Sequence, residues 1–151
     1  HTKDGDVGYV GDVVSVNTKA IKEVTESNRI PVIYPVGIDA KGETYNVNAD
    51  EAAAKVAAAM KVDKLMVLTN VKGIMRDPAD EQSLLSSLHV RDVQDLIDRK
   101  VVTGGMIPKV RSCMAALTGG VPKAHIIDGR IKHSLLLEIF TDKGIGTEIL
   151  A

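Results

Sequence analysis

Apolar residues along this chain recur with two periods, and the change from one to the other marks out its elements. Short valine-rich runs around Gly8 and Gly11 read as two small strands about a tight turn, a hairpin at about 8–16. Asn17 and Thr18 then precede a helix over 19–27 that turns Ile21 and Val24 inward. Residues 30–36, Ile-Pro-Val-Ile-Tyr-Pro-Val, form a nearly continuous apolar strand. Pro31 and Pro35 put it at a strand start or a sheet margin, because proline donates no ladder hydrogen bond. An alanine-rich helix follows over 49–60, and 64–71 is a strand apolar on both faces, as buried strands of parallel sheets are. Past a polar loop holding Asp77 and Pro78 come a helix at about 90–99, a Gly-Gly break and a helix at about 106–117. A short strand at 124–128, a helix over 133–139 and a closing strand near 146–150 complete the chain. Strands alternating with helices of this length predict an α/β fold, a mainly parallel open sheet with helices on both faces.

Length and composition narrow the reading. At 151 residues, 44% of them hydrophobic, the chain suits one globular domain with a single core and has no room for a second complete one. With 19 basic against 20 acidic residues and no Lys/Arg block, nothing tracks a phosphate backbone, which excludes nucleic acid as the expected partner. No apolar run approaches the ~20 residues a membrane helix needs, so no membrane segment is expected. The one cysteine, Cys113, reads as a small core thiol in a reducing compartment, and no Cys/His cluster has metal-ligand spacing, so no protein-held metal is expected. The first residue is His1, not a start methionine, and the opening residues read like a loop interior. The chain is therefore expected to be a fragment, cytoplasmic, or plastid if a transit peptide precedes it.

Three stretches carry candidate chemistry. In Tyr45-Asn46-Val47-Asn48-Ala49-Asp50-Glu51, Asn48 and Glu51 have capping-box spacing, which accounts for the helix start without Asp50. Asp50 is then either a first-turn carboxylate favoured by the helix dipole or a functional group, and Asn46 either holds the turn or offers an amide to a ligand. In Thr103-Gly104-Gly105-Met106-Ile107-Pro108-Lys109, two glycines precede a helix with proline in its first turn, a place where an anion can approach the backbone. Lys109 opposes the helix dipole there, so it is either a solvated surface lysine or one that faces a phosphoryl group. The strand ending in Thr69 and Asn70 runs into Gly73, which suits a nucleotide at the carboxyl edge of a parallel sheet. No Walker loop, GxGxxG or serine-hydrolase elbow is present.

Taken in order, Val7-Gly8-Tyr9-Val10-Gly11, Ile30-Pro31-Val32-Ile33, Asn46-Val47-Asn48-Ala49-Asp50, Leu68-Thr69-Asn70-Val71, Gly104-Gly105-Met106-Ile107-Pro108-Lys109 and Ile126-Ile127-Asp128-Gly129-Arg130 resemble the N-acetylglutamate kinases of the amino acid kinase superfamily over essentially the whole chain. The resemblance implies a three-layer α/β/α sandwich truncated at its N-terminal half. This chain would then be the C-terminal, ATP-binding half, inactive alone, of an enzyme making N-acetylglutamyl 5-phosphate in arginine biosynthesis. It implies that Asn46 binds N-acetyl-L-glutamate, that Lys109 stabilises the transferring phosphoryl group and that Asp50 holds the lysines in place. Thr69, Asn70 and Gly73, with Gly105 and Met106, would line ATP, whose phosphates carry Mg²⁺. Many family members have Asp where this chain has Asn70, which makes that contact differ in charge. The tail resembles the arginine-inhibited members, implying an L-arginine site at His125, Glu138 and Gly144 and a homo-oligomer, dimer or hexamer, of the full-length protein. A sheet truncated at one side is also expected to leave an open edge that favours pairing or aggregation. Two other readings compete: a sister kinase acting on glutamate, aspartate or carbamate, and a non-catalytic arginine-sensing module.

Overall fold

The computed structural model describes residues 8–77 and 79–151. Helix α1 (Thr18–Glu26) opens on Asn17, whose side chain accepts from the Ala20 amide at 3.2 Å. Strands β1 (Val36–Ile38) and β2 (Thr44–Asn46) form an antiparallel hairpin. Its turn is built by Asp39, whose Oδ1 accepts from the Lys41 and Glu43 amides at 2.8 and 2.9 Å, with Gly42 at φ +85°, a value glycine adopts without strain.

That hairpin replaces the one expected at 8–16. Val10 instead makes a parallel bridge to Asn46, the Gly11 amide donating to the Asn46 carbonyl at 3.0 Å and the Asn46 amide to Tyr9 at 2.8 Å. An aspartate that locks its own turn closes a hairpin locally, whereas the glycines near 8–11 leave the chain free to lie beside a strand formed elsewhere.

A second correction concerns 30–36, which is irregular until β1 begins at Val36. The Val36 amide folds back onto the Tyr34 carbonyl at 2.8 Å, and the Pro35 carbonyl takes the Val47 amide at 2.9 Å. Ile30, Val32, Tyr34, Val36 and Ile38 are 55–89% exposed, every second residue of an apolar stripe. A strand needs a partner as well as a pattern, and two prolines remove donors that would recruit one.

Helix α2 (Ala49–Met60) starts at Asn48, which accepts from the Asp50 and Glu51 amides at 3.0 and 3.1 Å, and ends at Lys61 in the left-handed conformation. There follow β3 (Lys64–Thr69), a 3₁₀ turn (Glu81–Ser83), β4 (Ser87–His89), α3 (Val90–Asp98), α4 (Met106–Thr118), β5 (Lys123–Asp128), α5 (Ser134–Phe140) and β6 (Thr147–Leu150). Strand β4, like β2, was not announced by the pattern, three residues being too short to display a period; it is held in register by β6, Ser87 opposite Glu148.

The larger sheet runs β3-β5-β6-β4, with β3/β5 and β4/β6 parallel and β5/β6 antiparallel, so it is mainly parallel with one reversed junction at its centre. Strand β3 stands at one edge of this sheet. Alternation along β5 separates the layers. Ala124 and Ile126 join Leu65, Val67, Val110, Cys113, Ala116 and Ile149 in the core beneath α2 and α4, while His125 faces the other way and meets α5. Small residues at Ala54, Ala57 and Ala116 let α2 and α4 lie close together. Cys113 is wholly buried there, and burial, reinforced by the Asp50 carboxylate, pushes its thiol up to about 12. Helix α5 is the outer layer on the opposite face and leaves Leu136 and Phe140 exposed. No helix among the described residues is long and apolar enough to cross a membrane.

Candidate active site

The carboxyl end of β3 with the turn after it, the stretch before α4 and the amino end of α4 converge on one cleft of about 380 Å³. It is lined by Thr69, Asn70, Gly73, Gly105, Met106 and Lys109, all residues marked by the sequence. Val71, Ile74, Met75, Val101, Val102 and Thr103 complete the lining. Val71 and Thr103 stand in stretches the sequence singled out; Ile74, Met75, Val101 and Val102 were missed, the Val101-Val102 pair just before Thr103 being a signal that could have found them. An apolar wall of this kind beside a few polar groups suits a flat aromatic base with a charged tail. A larger hollow, about 470 Å³, lies along the alanine-lined groove between α2 and α4, with Asn48, Glu51, Lys55, Arg111 and Ser112 about it and none of the residues marked for a nucleotide.

Lys109 sits one turn inside α4, and its Nζ lies 3.0 and 3.2 Å from the two Asp50 carboxylate oxygens in the first turn of α2. Both side chains are about a quarter exposed, so the pair is partly shielded from water, and Lys109 lines the cleft. Because Asn48 alone caps α2, the Asp50 carboxylate is spare for this contact.

The start of α4 is tighter than a bare helix end. The Met106 and Ile107 amides already donate to the Thr103 and Gly104 carbonyls, at 3.1 and 3.2 Å, and Pro108 has no amide to offer. Approach of an anion there falls to the Gly104-Gly105 backbone, where an added Cβ would meet nothing within 4 Å, and to Lys109. Gly73 differs: at φ +152° a Cβ would stand 2.6 Å from Thr147 Oγ1 and 2.9 Å from Leu84 Cδ1. Only glycine fits that turn.

Asn46 ends β2 on an exposed face, two residues before the α2 cap, and is not part of the cleft lining. At the end of β5, Asp128 stands opposite Thr69 and is gripped by Arg130, Nε to Oδ1 at 2.9 Å and Nη2 to Oδ2 at 2.8 Å, with the Arg130 amide also on Oδ1. These hydrogen bonds hold the Asp128 carboxyl at about 2.

His125, Glu138 and Gly144 meet on the other face of the sheet. His125 Nδ1 is 2.7 Å from Glu138 Oε1, while Glu138 Oε2 accepts from the Ile145 and Gly146 amides at 2.6 and 3.0 Å. Gly144 lies so close that a Cβ would stand 2.7 Å from the Glu138 carboxylate. Burial works to raise the Glu138 carboxyl, but the hydrogen bonds from Ile145, His125 and Gly146 outweigh it and hold it below its ordinary value. His125 Nε2 is buried without a hydrogen-bond partner, 3.7 Å from Glu148 Oε1.

The sequence profile of the Amino acid kinase family matches residues 1–128. The chain belongs to that family. Among curated relatives, the acetylglutamate kinase of Heliobacterium modesticaldum is 56% identical over 145 residues, 96% of this chain and 49% of the relative. That of Desulforamulus reducens is 51% identical over 146 residues, 97% of this chain and 51% of the relative. The chain thus spans about half the length of the curated relatives it matches. Among solved structures, N-acetylglutamate synthase from Neisseria gonorrhoeae complexed with coenzyme A and L-arginine superposes with a TM-score of 0.90 at 32% identity, over 99% of this chain and 34% of that one. Carbamate kinase from Giardia lamblia bound to AMP-PNP shares the fold, with a TM-score of 0.68 at 18% identity over 93% of this chain and 46% of that one.

Proposed function

We propose that this chain is the nucleotide-binding half of an acetylglutamate kinase, which transfers the γ-phosphoryl group of MgATP to the side-chain carboxylate of N-acetyl-L-glutamate. The observation that carries the reading is the Lys109–Asp50 pair at the rim of a cleft lined by Thr69, Asn70, Gly73, Gly105 and Met106. The identity of 51–56% to acetylglutamate kinases supports the choice of substrate.

Phosphoryl transfer asks the protein for position and for neutralisation of charge on the equatorial oxygens; the acceptor carboxylate is already ionised near pH 7 and needs no base. The apolar wall takes the base and sugar end, and Thr69 and Asn70 offer polar side chains beside it. The Gly104-Gly105 backbone admits the phosphates, and Lys109 meets the charge that develops in transfer. Asp50 holds the lysine in reach of it. Mg²⁺ arrives on the nucleotide, and Asn46 reaches N-acetylglutamate on the open side of the site.

The His125–Glu138–Gly144 cluster is the proposed L-arginine site. Glu138 keeps lone-pair capacity beyond its three present hydrogen bonds, and a carboxylate is the natural partner of a guanidinium. A structural relative at 32% identity, the gonococcal synthase, is complexed with L-arginine.

The test is a substrate panel on an enzyme of its relatives' length carrying this sequence. N-acetylglutamate is the expected acceptor, and turnover of glutamate, aspartate or carbamate in its place overturns the assignment.

A further inference from the structure

Thr147, the first residue of β6, is wholly buried, and its hydroxyl oxygen accepts the Ile74 amide at 2.8 Å, a bond between residues 73 positions apart. Ile74 and Gly73 line the nucleotide cleft. The same oxygen occupies the space a side chain on residue 73 would take, 2.6 Å from that Cβ position. Thus the hydroxyl both ties down the turn after β3 and explains why the turn carries glycine. Thr147 is itself held from two sides. Its strand pairs with β5 through Ile126, and the residue before it, Gly146, gives its amide to Glu138 and packs against the Ile126 carbonyl.

We propose that Thr147 is a positioning residue for nucleotide binding: its hydroxyl sets the Gly73–Ile74 turn at the position the nucleotide requires, without touching the nucleotide. The proposal rests on that cleft being the nucleotide site. Without the hydroxyl, the Ile74 amide loses its acceptor inside the protein and the turn relaxes toward other partners. Valine removes the oxygen at nearly constant volume; serine keeps the oxygen and loses a methyl group. The two changes therefore separate hydrogen bonding from packing.

The experiment is a calorimetric titration with MgATP of an enzyme of its relatives' length carrying this sequence, for the wild type, Thr147→Val, Thr147→Ser and Ile149→Val. The last change lies two residues along the same strand in the same core and lowers stability without touching the turn. Thr147→Val is expected to weaken MgATP binding by about tenfold, the consequence of one buried hydrogen bond lost. Thr147→Ser should stay within about threefold of wild type, and Ile149→Val should bind as wild type does. Equal affinity for Thr147→Val and wild type overturns the proposal, as does a loss in Ile149→Val as large as that in Thr147→Val, which makes the effect one of stability. A wild-type enzyme of that length that takes up no MgATP removes the nucleotide reading and the proposal with it. If Thr147→Val does not fold, hydrogen exchange at the Ile74 amide of the wild type decides. Protection that deepens on adding MgATP supports the positioning role, and exchange as fast as an open loop with and without MgATP overturns it.

Discussion

Lys109 Nζ rests within 3.0 and 3.2 Å of both carboxylate oxygens of Asp50, a residue 59 positions earlier in the chain. The contact joins the first turns of α2 and α4, two helices that share a core of small residues, so the packing that builds the domain also sets the site.

Removal of that lysine should be felt in the chemical step. In an enzyme of its relatives' length, Lys109→Ala is expected to lower kcat by about 10²–10³-fold, the size of effect seen when one preorganised charge stabiliser is lost. KM for ATP should move far less. Steady-state kinetics decide it, and a near-normal kcat would take Lys109 out of the mechanism.

The Asp50→Asn change leaves the fold standing, since Asn48 alone caps α2 and a partly exposed ion pair contributes at most about 1 kcal/mol. The expected result is a fall in kcat at a nearly unchanged Tm. A large drop in Tm with full activity in the folded fraction would make Asp50 a purely structural residue.

For the cluster on the opposite face, millimolar L-arginine should inhibit the full-length enzyme, and Glu138→Ala should shift the inhibition curve to higher arginine, because it removes the partner of the guanidinium. Activity titrated against arginine is the measurement. A wild type indifferent to arginine, or a Glu138→Ala curve that superposes on it, counts against the site.

Asp128 offers a pH test with a definite sign. Its carboxyl is held at about 2 against an ordinary 3.8, first by the Arg130 side chain and then by the Arg130 amide. A depressed carboxylate stabilises the fold above its unfolded value and loses that contribution as pH falls through the folded one. The stability gap between wild type and Asp128→Asn should therefore be complete above about pH 4 and close as pH falls toward about 2. Denaturant unfolding at a series of pH values reads it, and a gap independent of pH would deny the ion pair its role.

Local sequence was sufficient for the helix starts and the buried strand that carry their own signal, though the equally local Asp39 turn went unread. Asn17 and Asn48 announce two helix starts by caps that act within three residues, and the alanine-rich run of α2 and the apolar run of β3 display their period without help from elsewhere. The glycine pair, Pro108 and Lys109 mark the start of α4 for the same reason. The residues named for the nucleotide then share one cleft because the end of β3 and the start of α4 come together.

What depends on distant partners was not legible in the chain. The apolar stripe from Ile30 to Ile38 has strand periodicity but gains no sheet partner for most of its length, while the Asp39 turn, a local device, makes the hairpin that the run near Gly11 was expected to make. Strand β4 exists only because β6 offers it a ladder, and the β5/β6 junction is antiparallel because the chain returns past α5 in the opposite direction. Asp50 and Lys109, ambiguous when read singly, become a pair only when two helices pack. Thr147 passed unremarked in the sequence, since a threonine opening a strand is ordinary there; its acceptor role arises from a hydrogen bond across 73 residues. Caps, turns and periodicity are interactions among neighbours in the chain, whereas pairing, layer order and the meeting of charged groups are set by which surfaces the core brings into contact.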